Sequence, residues 1–345
     1  MLISPLSPET LQSAMRLYHH DSADGQAAFI GGSQNLVYAY AHGGRDYILR
    51  LTPCANRSES LVRSELDWIV YLASNEIPVS APIPAINGGW TEVIRTAQGD
   101  YVCVSFEKAP GRQVHYPECL QDNSLYERLG RLTGKLHALA RTYSPPKHAV
   151  RRHDWQRNWF LRHLDLLPAS QTVVRESCLE LFESIRALPT ASQAYGIIHG
   201  DIGVGNFTVD ERGTVTLFDF DEAQYSWFVE DIAIQLYYLV YVFGDADDGM
   251  ALREEQAGRF MAHFMKGYRL EHDLDAYWLR RIPLFLRLRE LIVYVGSFRD
   301  WDGDETFSGS GNPWLIDWIA ESRRRIENRV PIVDIWTDRT DFMDK

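Results

Sequence analysis

Cysteine is scarce in this chain. Only Cys54, Cys103, Cys119 and Cys178 occur in 345 residues, with no CxxC pair among them. That scatter argues against a disulfide framework or a zinc ribbon, and we read four reduced thiols in a cytoplasmic protein. Positive charge is also short: 35 Lys and Arg stand against 47 Asp and Glu, a net charge of −12. An acidic chain is poorly suited to non-specific nucleic-acid binding or to an anionic membrane surface, so neither is expected as a partner. A polyanionic nucleotide stays possible, because a metal ion and local basic groups offset the field. The longest apolar run, Ile232–Phe243, is shorter than the ~20 residues needed to span a bilayer and carries Gln235 inside it. The opening MLISPLSPETLQSAM has no basic region followed by a long apolar stretch, so no signal peptide is expected. There is no internal repeat, no HExxH and no GxSxG, which argues against a zinc hydrolase or serine hydrolase.

What is present divides the chain in two. Residues 35–41 (NLVYAYA) and 46–51 (DYILRL) are β-rich runs joined by HGGR, a hairpin signal. Residues 58–75 have apolar positions at helical spacing, with Ser58 or Ser60 as the cap. TEVIRT and DYVCVSFE read as a second hairpin. After KAPGRQ (108–113) the pattern becomes helical. Residues 124–140 open with Ser124 and Glu127, a capping box, and continue with a stripe of Leu125, Leu129, Leu132, Leu136 and Leu139. Further helices are expected near 172–188, 230–243, 251–269, 275–298 and 314–327. This gives an α+β chain with a β-rich N-terminal lobe over 1–107 and a larger helical C-terminal lobe over 108–345.

One β island interrupts the helical half: HGDIGVGNFTVDERGTVTLFDFDEA, residues 199–223. Phe207–Val209 and Thr214–Phe218 are short strand runs around the turn DERG, so Asn206 and Asp219 should flank a hairpin as neighbours. Asp201 sits five residues before Asn206, on a loop that Gly203 and Gly205 let bend. A carboxylate beside an amide oxygen suits a hard cation such as Mg2+, and a second carboxylate can take a proton from an attacking hydroxyl. Those are the requirements of phosphoryl transfer.

The segments HGDIGVGN (199–206) and LFDFDEA (217–223) resemble the catalytic and metal-binding segments of the aminoglycoside phosphotransferase/choline kinase family. LGRLTGKLHAL (129–139) and VEDIAI (229–234) resemble its flanking segments, and the likeness covers about residues 25–300. The resemblance implies a bilobal protein-kinase-like fold and an ATP- and Mg2+-dependent kinase acting on a hydroxyl of a small molecule. It implies that Asp201 is the catalytic base and that Asn206 and Asp219 hold Mg2+. His199 would be a structural member of the catalytic loop, Asp231 would brace that loop, and Asp221 would be an extra metal-site or supporting group. In the N-terminal lobe, Arg50 stands where the family has a phosphate-binding Lys, with Glu65 as its partner. Arg is a planar fork and not a point charge, so the two are not interchangeable. Gly32 and Ser33, within GGSQNLVY (31–38), would lie at the nucleotide phosphates. The linker around Ser105, Glu107 and Lys108 would meet adenine through its backbone.

Three alternatives stay open. Glu65 also reads as the solvated flank of its helix. A kinase of this kind can act on protein Ser/Thr, although DEAQYSWFVEDIA runs almost directly into a helix with no activation segment. A non-catalytic nucleotide-binding scaffold would be consistent with Arg50, but not with intact Asp201, Asn206 and Asp219. The acidic runs DADDG (245–249) and DWDGDET (300–306) lack calcium-loop spacing; the second has Glu305 where such a loop needs Gly. With Trp301, the second run reads either as a cleft for an amine-bearing acceptor or as a solvated loop.

Overall fold

A computed structural model of the protein describes residues 5–21, 25–31, 34–147, 149–299 and 312–336. In chain order the first half gives α1 (Pro8–Met15), β1 (Ala28–Gly31), β2 (Leu36–His42), β3 (Arg45–Pro53), α2 (Glu59–Ser74), β4 (Glu92–Thr96), β5 (Gly99–Glu107) and β6 (Arg112–Gln113). The second half gives α3 (Asn123–Ala140), α4 (Trp159–Arg162), α5 (Thr172–Arg186), β7 (Tyr195–Ile198), β8 (Phe207–Val209), β9 (Val215–Leu217) and β10 (Gln224–Trp227). It continues with α6 (Phe228–Val240), α7 (Gly249–Tyr268), α8 (Ala276–Leu279), α9 (Ile282–Ser297) and α10 (Pro313–Asn328). The chain forms two compact units. One is drawn from Met1–Arg112, Tyr143–Arg152 and Thr208–Asp221, the other from Gln113–Thr142, His153–Phe207 and Glu222–Lys345.

The first unit is built on an antiparallel sheet in the order β1-β2-β3-β5-β4. Gly43 and Gly44 both take positive φ, +57° and +73°. Two such residues make the hairpin turn whose twist matches the strands it joins. The turn sets the register Leu36↔Leu51, which places Arg50 across from Val37 on one side and Val104 on the other. Alternate residues Leu36, Tyr38 and Tyr40 then share one core cluster with Leu11, Met15 and Tyr18 around α1. Helix α2 begins where Ser58 accepts the Leu61 N–H, which decides between the two expected caps. β9 joins this unit through Val79: Ser80 N–H meets Leu217 O at 2.9 Å, and Leu217 N–H meets Pro78 O at 3.0 Å.

The second unit is mainly helical. The stripe expected on α3 is buried at Leu125, Leu129, Leu132 and Leu136, while Leu139 is only partly covered. The cap is not Ser124, however. Asp122 accepts the Leu125 N–H at 2.9 Å, and Ser124 donates its hydroxyl to the same carboxylate at 2.7 Å. An ionised oxygen at the positive end of a helix is the stronger acceptor, so it takes the cap. The single helix expected over 275–298 is two, α8 and α9. Pro283 lies at the start of α9, where its missing N–H costs nothing, whereas mid-helix it would clash with the preceding turn. The β island is also wider than expected. β7 and β10 pair antiparallel, Ile198 with Gln224 and Tyr195 with Trp227, and enclose the loop and hairpin between them. Both strands are only four residues long, too short for their period to stand out.

Helices α3 and α7 approach to backbone contact. A Cβ on Gly130 would lie 2.0 Å from Phe264 O, and one on Gly267 would lie 1.9 Å from Glu127 O. Such contact needs both helices to lack side chains at the crossing. α6 is buried along nearly its whole length and packs on α7 and α9. No helix among the described residues is long and apolar enough to cross a membrane. Replacing Gly267 by Ala will force the two helices apart and cost about 1–3 kcal/mol of stability. Urea unfolding should show a lower midpoint with an unchanged slope.

Candidate active site

In the first unit the strand and the helix after it are tied by one buried pair. Arg50, on β3, and Glu65, one and a half turns into α2, meet as a two-pronged fork. Nη1 donates to Oε1 at 2.7 Å and Nη2 to Oε2 at 2.9 Å. Glu65 is completely buried, so its role as a solvated flank is excluded. Burial works against the charge on Arg50, but Glu65, with Asp221 and Asp219, outweighs it and raises the guanidinium pKa. Its face lies over Phe106, 5.2 Å from the ring centre.

Asp219 and Asp221 follow β9. Asp219 adopts φ +62°, a left-handed conformation that costs a residue with a Cβ about 1–2 kcal/mol. Strain of this kind concentrates where a side chain has to be aimed. Asp221 is buried. Arg57 Nε reaches its Oδ1 at 2.6 Å, and Asn35 Nδ2 donates to Oδ2 at 3.2 Å. Arg152 donates to the Asp221 carbonyl at 2.6 Å. Burial alone would push this carboxyl up, but Arg57, Arg50 and Arg152 hold it below the usual range. Of the other expected nucleotide contacts, Gly32 and Ser33 lie outside the described residues. Ser105 is buried on β5, with its hydroxyl 2.7 Å from Tyr40 Oη. The backbone there is partly spent within the unit. Ser105 O accepts the Ile83 N–H at 2.9 Å, and the Glu107 N–H is given to Ala81 O at 2.8 Å. The Lys108 N–H goes to Asp46 O at 3.2 Å. The Glu107 and Lys108 amides are therefore not free donors for adenine.

In the second unit, β7 delivers the chain to His199 and α6 supplies the support. Asp231, in the first turn of α6, is fully buried. Its Oδ2 accepts the His199 N–H at 3.0 Å and its Oδ1 the Gly200 N–H at 2.9 Å. Burial would push this carboxyl up, yet the ring of His137, 3.3 Å away on α3, with the His199 ring and the Gly200 N–H, holds it low. Burial pushes the His137 imidazole down against the pull of Asp231, and the ring is stacked on Phe228 at 4.4 Å. Gly200 takes φ +80°, and a Cβ there would meet Glu222 O at 2.3 Å, so no other residue fits. The Asp201 N–H donates to His199 Nδ1 at 3.2 Å, which places the ring proton of a neutral His199 on Nε2.

Asn206 closes the loop. Its Nδ2 donates to Asp201 O at 2.8 Å and to Asp201 Oδ2 at 3.0 Å. Two residues absent from the sequence-based set complete the surroundings of Asp201. Arg289, on α9, makes an ion pair with Asp201 Oδ1 and also hydrogen-bonds Tyr238 Oη. Tyr238, on α6, donates to the same Oδ1 at 3.4 Å. Arg57 and Arg152 around Asp221 were likewise not foreseen. A charged residue inside the apolar run IPLFLRLRELIVYV is the one signal that could have marked Arg289. Of the two acidic runs, Asp245 of the first is held by Arg253 at 2.9 Å and Arg325 at 2.7 Å, and 300–306 lie outside the described residues. Among the described residues no three His, Cys, Asp or Glu side chains gather as a metal cage.

A model of the phosphotransferase enzyme family matches residues 26–270. The chain belongs to that family. It is 36% identical over 313 residues to the amicoumacin kinase of Bacillus subtilis (strain 168), covering 89% of this chain and 88% of the relative. The structure of an amicoumacin kinase in complex with AMP-PNP, Ca2+ and Ami is similar with a TM-score of 0.84 and 33% identity, over 94% of each chain. A microcompartment-associated aminopropanol kinase shares the fold, with a TM-score of 0.73 and 23% identity over 93% of this chain and 97% of that one. The fold is thus the protein-kinase-like α+β fold of aminoglycoside phosphotransferases and choline kinases. The protein is a small-molecule kinase, a phosphotransferase with an alcohol group as acceptor.

Two outcomes follow for family members with this arrangement. Removing one partner of a buried pair leaves an uncompensated charge, so Glu65→Ala will cost about 3–5 kcal/mol, whereas Arg50→Met with Glu65→Leu together will recover most of it. Chemical denaturation of the single and double variants measures both. Glu230, beside Asp231, accepts from Gln224 at 2.9 Å and from Ser226, and burial pushes its carboxyl up to about 7. The fold therefore favours the neutral acid. Its contribution is full below the ordinary Glu value near 4.5 and is lost as the pH rises through 7. Thermal midpoints between about pH 5 and 8 should fall for the native protein relative to Glu230→Gln. Parallel curves would refute the assignment.

Proposed function

We propose that this kinase moves the γ-phosphate of ATP, with Mg2+, to a hydroxyl of an amine-bearing small molecule of the amino sugar, amino alcohol or hydroxy amino acid type. The observation that carries the reading is the hold of Asn206 on Asp201. Both bonds use Nδ2, so Asn206 Oδ1 is left for a cation while the adjacent carboxylate is fixed as a base. Asp201 accepts the proton of the acceptor hydroxyl as its oxygen bonds to phosphorus and ADP departs. Asn206 and Asp219 are the proposed metal ligands. Hard oxygen donors of this kind, without a ready-made acidic cage, suit an ion that keeps waters and substrate phosphates in its shell. Bound there, Mg2+ would neutralise the charge on the transferring group. Arg50 is assigned to the nucleotide phosphates. Each of its terminal nitrogens retains a second hydrogen after pairing with Glu65. His199 and Asp231 shape the loop, and Asp221 anchors the segment of Asp219 through Arg57. Gly32 and Ser33 are assigned to the phosphates on the family resemblance alone. The four free thiols support a cytoplasmic location.

Amicoumacin heads the acceptors to test, because two similar proteins carry that name. The purified protein, ATP and Mg2+ would be incubated with amicoumacin and a pool of amino sugars, amino alcohols and hydroxy amino acids, and products read by mass spectrometry. A gain of one phosphate on an acceptor is expected. Asp201→Asn should lower its rate about 100- to 10,000-fold. A rate that survives that substitution would sink the assignment of the base.

A further inference from the structure

We infer that Arg289 is a positioning residue for phosphoryl transfer, holding Asp201 so that Oδ2 is the oxygen that receives the acceptor's proton. The inference rests on the reading of Asp201 as the base. Three donors surround this carboxylate, and they are unevenly shared. Arg289 Nη2 and Tyr238 Oη both serve Oδ1, whereas Asn206 is the one donor to Oδ2 among the described residues. A carboxylate oxygen accepts about two hydrogen bonds, so Oδ1 is filled and Oδ2 keeps one place open.

Exposure points the same way. The Asp201 side chain is 26% exposed, while that of Arg289 is 9% exposed. An arriving hydroxyl therefore meets the carboxylate and not the guanidinium behind it. Tyr238 keeps Arg289 at its post. The guanidinium carbon lies over the ring, 5.0 Å from its centre, and the loop that carries Asp201 packs against the same ring. A Cβ on Gly203 would sit 2.6 Å from Tyr238 Cε2, so the loop can come this close only because residue 203 is glycine.

Stability alone does not account for the pair. Ion pairs taken out of water are often no better than apolar side chains of the same volume, and Arg289 Nε is buried with no hydrogen-bond partner among the described residues. The terminal torsion of an Asp is broad, so without Arg289 the plane of the carboxylate would swing across that well. Pinning Oδ1 leaves one orientation, which is the positional accuracy proton transfer from a bound alcohol requires.

The test compares native protein, Asp201→Asn, Arg289→Met and Arg289→Lys in phosphate transfer from ATP to amicoumacin and the acceptor pool, with thermal midpoints recorded alongside. Arg289→Met should lose kcat by about 100-fold while the KM for ATP stays within about twofold, since misplacement near the reacting atoms acts on the chemical step. Arg289→Lys keeps the charge without the fork and should lose about 10-fold. It carries the test if Arg289→Met does not fold. Native kcat in either folded variant, or a loss confined to the KM for ATP, would overturn the inference and leave Asp201 as the base. Transfer that persists in Asp201→Asn, or no transfer by the native protein to any acceptor, would overturn the reading of the site and this inference with it.

Discussion

One buried carboxylate organises the loop that leads to Asp201. Asp231 turns two consecutive backbone N–H groups, those of His199 and Gly200, toward itself and is backed by His137. The orientation of everything downstream in the loop depends on that grip. With His199 and Gly200 fixed, the Asp201 N–H falls on the His199 ring, and Asn206 can reach back to close the turn. An ionised group at full burial is expensive unless every lone pair is used. Here the helix N-terminus that carries Asp231 contributes as well, because its dipole favours negative charge in the first turn.

The acidic net charge of the chain conceals an interior rich in arginine. Around Asp221 stand Arg57, Arg50 and Arg152, and around Asp201 stands Arg289. Both of these carboxylates have a permanent cation near them. A guanidinium supplies this better than an ammonium, since it stays charged at burial and offers several donors in fixed directions. The substitution at position 50 belongs to the same pattern: Glu65 is engaged by both terminal nitrogens, a grip that one ammonium cannot reproduce.

Features with a local cause were legible in the sequence. Two adjacent glycines between alternating apolar runs can hardly be anything but a hairpin turn, and the β2–β3 register follows from it. The spacing of His199, Asp201, Asn206 and Asp219 was enough to suggest phosphoryl transfer. Features decided by competition or by distance were not legible. Asp122 outbids Ser124 as a cap because charge strengthens the acceptor. β7 and β10 exist because they pair with each other across the intervening loop and hairpin, not because four residues declare a strand. Arg289 lies 88 positions from Asp201, and only packing brings α9 to the loop. The support around Asp201 is written in contacts between distant elements, whereas the residues proposed to react are written in order along one segment.

The depth of these ion pairs has a bearing on the medium in which the enzyme works. Dissolved salt weakens attraction between charges that water can reach, within a Debye length of about 8 Å at physiological ionic strength. Lys108–Asp46 and Lys266–Glu127 lie in that exposed category. Arg50–Glu65 and Arg57–Asp221 do not, since neither partner opens appreciably to solvent. As ionic strength rises, the outer layer of attraction fades while the buried pairs keep their strength.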